Sequence, residues 1–264
     1  MQLKEITPTD LSMLRPQLYS TLSIPLDGMW DQIIHQSNLW SIFQKNKLIG
    51  YYSLDGEGRL IHFFLLPEYV VESQDIFRQV IQEHAIKTGL TFTNHPQYLS
   101  LSLDICTKVQ VHSYLFTDGH QEASVLPQFE GLDFTLVQLQ DLDAVVAFGV
   151  TNVGAPAEWL KSYFENLINK EELFKLSSDR DIMGTCEVRG NTYQPQIADL
   201  GAITAQQHRK KGVGTFLLGQ AKAISIQRKL IPICSCEASN IGSRKMIERV
   251  GFGSWHRILE IKYD

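Results

Sequence analysis

Residues 133–263 alternate strand-like and helix-like apolar patterns in a fixed order, and residues 3–116 pass through nearly the same order at an offset of roughly 130 to 140 residues. A chain that spells one set of alternating elements twice is expected to fold as two similar bodies. In the later half, 133–139 reads as a strand, 141–150 and 156–168 as helices, and 172–177 with 182–188 as a hairpin turning at Ser178, Asp179, Arg180 and Asp181. A strand over 197–204, a helix after Gly212, a strand over 231–236, a helix from Ser239 or Asn240 and a strand over 254–263 follow. The earlier half supplies a strand at 3–6, helices at 11–22 and 29–36, and a hairpin of 40–44 with 48–54. A strand at 59–66, a helix at 74–87 and strands at 90–93 and 109–116 complete it, and Gly50 stands where Gly184 stands in the later copy. A polar stretch with Gly119, Pro127 and Gly131 separates the copies, which sets the expected domains at 1–117 and 132–264 with a linker at 118–131.

The copies differ where the long strand turns into the long helix. In the later copy that turn is His208-Arg209-Lys210-Lys211-Gly212-Val213-Gly214, and Val213, Phe216, Leu217, Ala221 and Ile224 then fall on one helical face. The first amides of a helix have no intrahelical partner and attract an anion, aided by the partial positive charge of the helix N-terminus. Gly212 and Gly214 remove side chains that would hold such an anion off the backbone, and Arg209, Lys210 and Lys211 add positive charge. A phosphate-bearing ligand is expected there. The matching turn of the earlier copy, Pro67-Glu68-Tyr69-Val70-Val71-Glu72-Ser73, has no glycine, no base and two acids, so it is expected to hold none.

The 264 residues suffice for two domains with real cores, and no apolar run approaches membrane-spanning length, so no membrane partner is expected. The N-terminus lacks the pattern of a secretory signal, which gives a cytoplasmic expectation. A net charge of −5 argues against nucleic-acid binding, yet the charge is uneven: residues 205–257 hold ten Lys or Arg against Glu237 and Glu248. The cysteines Cys106, Cys186, Cys234 and Cys236 are too few and too irregular for a disulfide framework, so reduced thiols are expected. Cys234 and Cys236 share one strand face and read as small apolar packing. The eight histidines show no ligand spacing, so no metal site is expected.

With its strand and helix context, Arg209-Lys210-Lys211-Gly212-Val213-Gly214 resembles the Arg/Gln-x-x-Gly-x-Gly/Ala acyl-CoA motif of the GNAT superfamily of N-acyltransferases. Asn240-x-x-Ser243 and then Gly251-Phe252 match a second motif of that family. The resemblance covers about residues 131–264, and residues 1–117 look like a degenerate copy, as in tandem GNAT proteins. It implies an α/β (α+β) fold with a mixed, mostly antiparallel sheet and flanking helices. It further implies that Ala202, Ile203 and Thr204 bond a pantetheine arm laid beside them like an extra strand. By the same resemblance Arg209, Lys210, Lys211, Gly212, Val213 and Gly214 hold the pyrophosphate, Asn240 bonds the pantetheine, and Ser243 lies near the cofactor.

Direct acyl transfer from acetyl-CoA needs a neutral amine, stabilisation of a developing oxyanion and a proton for the thiolate. Three carboxylates stand as candidates for the base: Asp199 in the long strand, Glu237 at the end of 231–236, and Glu187 on the hairpin. The family commonly places a proton-donating Tyr seven residues after the Asn, where this chain has Ile247. That departure supports two expectations: an N-acetyltransferase acting on a small-molecule amine or peptide, with a homodimer compatible, and a non-catalytic acyl-CoA-binding regulator. The four tryptophans read mostly as core, with Trp159 and Tyr163 as alternative lining of an acceptor groove.

Overall fold

A computed structural model of the chain describes residues 1–119, 127–178 and 181–264. The expected turn residues Asp179 and Arg180, and residues 120–126 of the expected linker, lie outside the described residues. In chain order the first half contains β1 (Gln2–Ile6), α1 (Arg15–Thr21), α2 (Gly28–Gln36), β2 (Asn38–Gln44), β3 (Lys47–Leu54), β4 (Leu60–Leu65), α3 (Ser73–Glu83), β5 (Thr88–Phe92), α4 (Pro96–Leu103) and β6 (Cys106–Asp118). The second contains β7 (Asp133–Leu136), α5 (Leu142–Val153), α6 (Ala157–Asn169), β8 (Leu173–Ser177), β9 (Ile182–Gly190), β10 (Ile197–Thr204), α7 (Val213–Gln227), β11 (Ile231–Glu237), α8 (Ile241–Arg249) and β12 (Phe252–Tyr263). Among the described residues no helix is long and apolar enough to cross a membrane.

Two compact units result, one of Met1–Leu115, Ser235–Ser239 and Ser254–Asp264, the other of Phe116–Cys234 and Asn240–Gly253. In the first, β1, β2, β3 and β4 form an antiparallel ladder, β5 joins β4 in parallel, and β12 pairs with β5 antiparallel from Ile258↔Phe92 to Lys262↔Thr88. In the second, β7, β8, β9 and β10 are antiparallel and β11 joins β10 in parallel. Each sheet is thus mixed and mostly antiparallel. The last strand of the sequence belongs to the first unit, although the linear reading assigned residues 254–263 to the later copy.

The duplication survives at the level of register. Gly50 pairs with Leu65, and Gly184 pairs with Thr204. A Cβ at Gly184 would sit 2.5 Å from the Leu217 side chain and 2.7 Å from the Ile203 carbonyl, so this glycine lets α7 lie close on the sheet. A Cβ at Gly50 would meet the Phe64 carbonyl and the Leu65 side chain in the same way.

Several elements depart from the sequence reading. The helix expected over 11–22 divides into a short 3-10 turn, Pro8–Leu11, and α1, because Pro16 lacks an amide donor and is tolerated only in the first helical turn. The helix expected to reach residue 87 ends at Glu83, where Ala85 turns left-handed at φ 48°. Helix α4 had no counterpart in the reading. Its residues Gln-Tyr-Leu-Ser-Leu-Ser-Leu alternate like a strand, but Pro96 opens a helix and the His95 Nδ1 accepts from Tyr98 N at 3.5 Å. Trp255, expected in the core, is 88% exposed.

Ile261 and Tyr263 of β12 pack with Leu60, Phe77 and Tyr98 in the core of the first unit. Ile261→Ala should therefore destabilise the first unit by about 2–4 kcal/mol. Hydrogen exchange should show faster opening of β4 and β5; unchanged protection there would contradict the pairing.

Candidate active site

Strand β10 pairs with β9 along its whole length, from Ala198↔Gly190 to Thr204↔Gly184, but with β11 only over Ile197, Ala198 and Asp199. Past Asp199 the edge of β10 away from β9 has no ladder partner among the described residues. Ala202, Ile203 and Thr204 lie on this open stretch. Beyond it come a 3-10 turn, Gln206–His208, and then Lys210 and Gly212, both left-handed at φ 62° and 87°. A left-handed lysine costs on the order of 1 kcal/mol, and the turn it enforces leaves amides unbonded. Among the described residues the N–H groups of Lys210 through Thr215 meet no backbone carbonyl; the first bond of α7 runs from Phe216 N to Gly212 O at 3.0 Å.

The side chains of the turn divide in role. Lys210 and Lys211 are exposed. Arg209 is tied down instead, its guanidinium donating to Asn152 O at 3.2 Å, while the Asn152 carboxamide oxygen accepts from Gln206 N at 2.9 Å. The end of α5 therefore holds the turn, which the sequence reading missed for want of any local signal. Gly214 also acts differently from expectation: a Cβ there would meet Met246 Sδ at 2.6 Å and Thr204 Oγ1 at 3.0 Å. Its bareness serves the packing of α7 against β10 and α8. At Gly212 a Cβ would come within 2.9 Å of Pro127 Cγ.

The ten bases of 205–257 do not gather at the turn. Lys222 is buried on Asp118 at 2.9 Å and on Val250 O, Arg228 donates to Glu171 O, and Arg244 pairs with Glu248. Arg257 lies over the Tyr114 ring in the first unit.

Of the three candidate bases, two share one face of the second sheet. Glu187 pairs with Gly201, and Asp199 pairs with Arg189, so all four side-chain positions lie on the side covered by α6. Tyr163 of α6 donates its hydroxyl to Glu187 Oε2 at 2.6 Å, and Arg189 Nε lies 3.3 Å from Glu187 Oε1. Gly201 has no room for a side chain because the Glu187 carboxylate fills it. Burial, and then the Glu187 charge, push the Tyr163 phenol far up, so it stays a hydrogen-bond donor. Asp199 is 2% exposed and receives Asn191 Nδ2 at 3.4 Å. Glu237 is exposed in the first unit, with Ser239 Oγ donating to it at 3.3 Å. Arg189 escaped the sequence reading, since nothing in strand periodicity marks a base that faces a carboxylate.

Asn240 caps α8, its Oδ1 accepting from Ser243 N at 3.0 Å, which leaves its Nδ2 without a protein acceptor among the described residues. Ser243 is half-buried on the next turn. Ile247 is buried, and its hydrocarbon side chain has no proton to donate. Cys234 and Cys236 are buried and form no disulfide among the described residues.

The first unit closes two features that the second leaves open, the turn amides and the end of the strand edge. Its strand-to-helix turn, Pro67–Glu72, is a continuous 3-10 helix, with Tyr69 N bonded to Leu66 O and Ser73 N to Val70 O. Strand β4 meets β5 at Leu60↔Gly89, and beyond it the Gln97 carboxamide takes both main-chain groups of Leu65, each at 2.9 Å. Gln97 imitates a neighbouring strand. The place of the Gly201–Glu187 pair is taken by His62 and Ser53, both fully buried. Desolvation keeps the His62 imidazole neutral, well below its ordinary range.

Gly214→Val should cost about 1–3 kcal/mol of stability through overpacking. Met246→Ala in the same chain should return a large part of that loss in a double-mutant cycle; simple additivity would contradict the contact.

Residues 138–252 match the Acetyltransferase (GNAT) family, and residues 7–119 match an Acetyltransferase (GNAT) domain. No curated protein matches the chain. Among solved structures, an acetyltransferase of the GNAT family from Colwellia psychrerythraea is 29% identical, with a TM-score of 0.93 and 100% of both chains covered. A GCN5-related N-acetyltransferase from Sphaerobacter thermophilus shares the fold at 14% identity, a TM-score of 0.68, and 99% and 95% coverage. A tandem GNAT protein from the clavulanic acid biosynthesis pathway shares it at 11% identity, a TM-score of 0.65, and 98% and 97% coverage. The fold is one that uses acyl-CoA for acyl transfer. Both halves of this chain are GNAT-family acetyltransferase domains, set in tandem.

Proposed function

We propose that the chain is an N-acetyltransferase that moves an acetyl group from acetyl-CoA directly to an amine, using the second domain alone as its cofactor site. The observation that carries this reading is that, among the described residues, the edge of β10 past Asp199 has no ladder partner and runs into six amides, Lys210 through Thr215, that meet no backbone carbonyl. Those amides and the exposed Lys210 and Lys211 suit a diphosphate. The open edge at Ala202, Ile203 and Thr204 suits the amides of a pantetheine arm, and Asn240 Nδ2 and Ser243 Oγ offer further polar contacts. When bound, acetyl-CoA supplies an activated acyl carbon and a thiolate leaving group.

Glu187 is the base this geometry favours. It lies across from Gly201, at the start of the open edge; Tyr163 bonds one of its oxygens and the Arg189 charge lies near the other. In that position it takes the proton released as the amine nitrogen bonds to the acyl carbon. Asp199 is sealed under Asn191, so it suits support of Arg189 better than contact with an acceptor. With Ile247 buried and Tyr163 held as a donor to Glu187, neither supplies the thiolate proton, which then comes from solvent; a thiolate leaves readily enough for that. The buried Ile247 also favours the second reading, an acyl-CoA-binding regulator without turnover.

Thiol release from acetyl-CoA across a panel of amines separates the two. The expected results are turnover, one CoA bound per chain by calorimetry, and a fall in kcat of roughly 10²–10⁴-fold in Glu187→Gln with CoA affinity retained. CoA binding without thiol release from any amine would leave only the regulator, and a second CoA per chain would overturn the sealed first domain.

A further inference from the structure

We infer that the acceptor carries, besides the amine that is acetylated and reacts in its neutral form, a second group that is positively charged and seated against Trp159; this rests on the acetyl-transfer reading above. Trp159 is 56% exposed on the first turns of α6, yet its ring is not loose. It stacks on Tyr163 with 4.9 Å between ring centroids and 10° between planes, and the Tyr163 hydroxyl bonds Glu187. Two aromatic rings and a carboxylate thus form one rigid ledge, with the carboxylate beside Gly201 at one end and an open indole at the other. An indole held by its neighbour offers a π face at little ordering cost, and a cation is the group such a face attracts most strongly in water.

The charge of the chain points the same way. Residues 131–204 carry eleven Asp or Glu against five Lys or Arg, whereas residues 205–264 carry four against eleven. The segment that supplies the ledge is therefore acidic, as suits a cationic acceptor. The bases nearest the carboxylate are engaged: Arg189 at Glu187, and Lys175 on Asp141 at 2.8 Å. A neutral aryl amine would use the indole but not the acidic surroundings.

Diaminobutane, butylamine and phenethylamine test this, with acetylation kinetics in one arm and equilibrium binding to the CoA-saturated protein in the other. Diaminobutane is expected to show a KM roughly tenfold below that of butylamine, an advantage that Trp159→Ala removes and Trp159→Phe largely keeps, with CoA affinity unchanged. Equal KM values for diaminobutane and butylamine, an equal effect of Trp159→Ala on both, or a Trp159-dependent preference for phenethylamine would overturn the inference. Tight, Trp159-dependent binding of diaminobutane without acetylation of any amine would sink the transfer reading and leave the ledge standing. Neither binding nor turnover of diaminobutane would end the inference itself.

Discussion

The parting of β10 from β11 after Asp199↔Ile233 is the constraint on which the second domain is organised. A strand inside a sheet normally has both edges satisfied, and an open edge next to a helix N-terminus is costly unless something polar reaches it. Here the open edge leads directly into a turn whose left-handed Lys210 and Gly212 hold six amides away from the backbone carbonyls of the described residues. The helices then serve this arrangement. Helix α7 approaches β9 and β10 closely because Gly184 and Gly214 lack side chains, α5 ties the turn through Asn152, and α6 brings Tyr163 onto Glu187.

The first domain keeps the backbone plan and fills its openings from within. Gln97 satisfies the main chain of Leu65 as a neighbouring strand would, and the Pro67–Glu72 turn spends its amides on its own carbonyls. His62 occupies the place of Gly201. Each substitution trades an exposed polar backbone for an internal hydrogen bond or for packing, so this domain gains in self-sufficiency what it loses in capacity for a ligand. The last strand of the sequence adds Ile258, Ile261 and Tyr263 to its cores.

Much of this was legible in the residues. Glycine spacing, apolar periodicity and the basic turn gave the strand, turn and helix of 197–227, and the absence of glycine and base between Pro67 and Ser73 gave the contrast between copies. Less legible was anything that depends on a partner distant in sequence. Gln97 looks like any polar residue until Leu65 is beside it, and α4 hides in an alternating pattern that suits a strand equally well. Gly214 was read as clearance for a ligand, whereas Met246, thirty-two residues away in the sequence, explains it. Trp255 and Trp159 look equally like core residues by type, yet one side of each faces solvent.

By itself the sequence determined which elements form, that they form twice, and which of the two turns is able to present free amides, because these depend on periodicity, glycine and charge within a few residues. Only the tertiary structure decided which carboxylate stands across from Gly201, what holds it, and which domain receives the final strand. Those outcomes follow from cross-strand register and from contacts between residues tens to hundreds of positions apart, and a one-residue slip in register would have turned each such side chain to the opposite face.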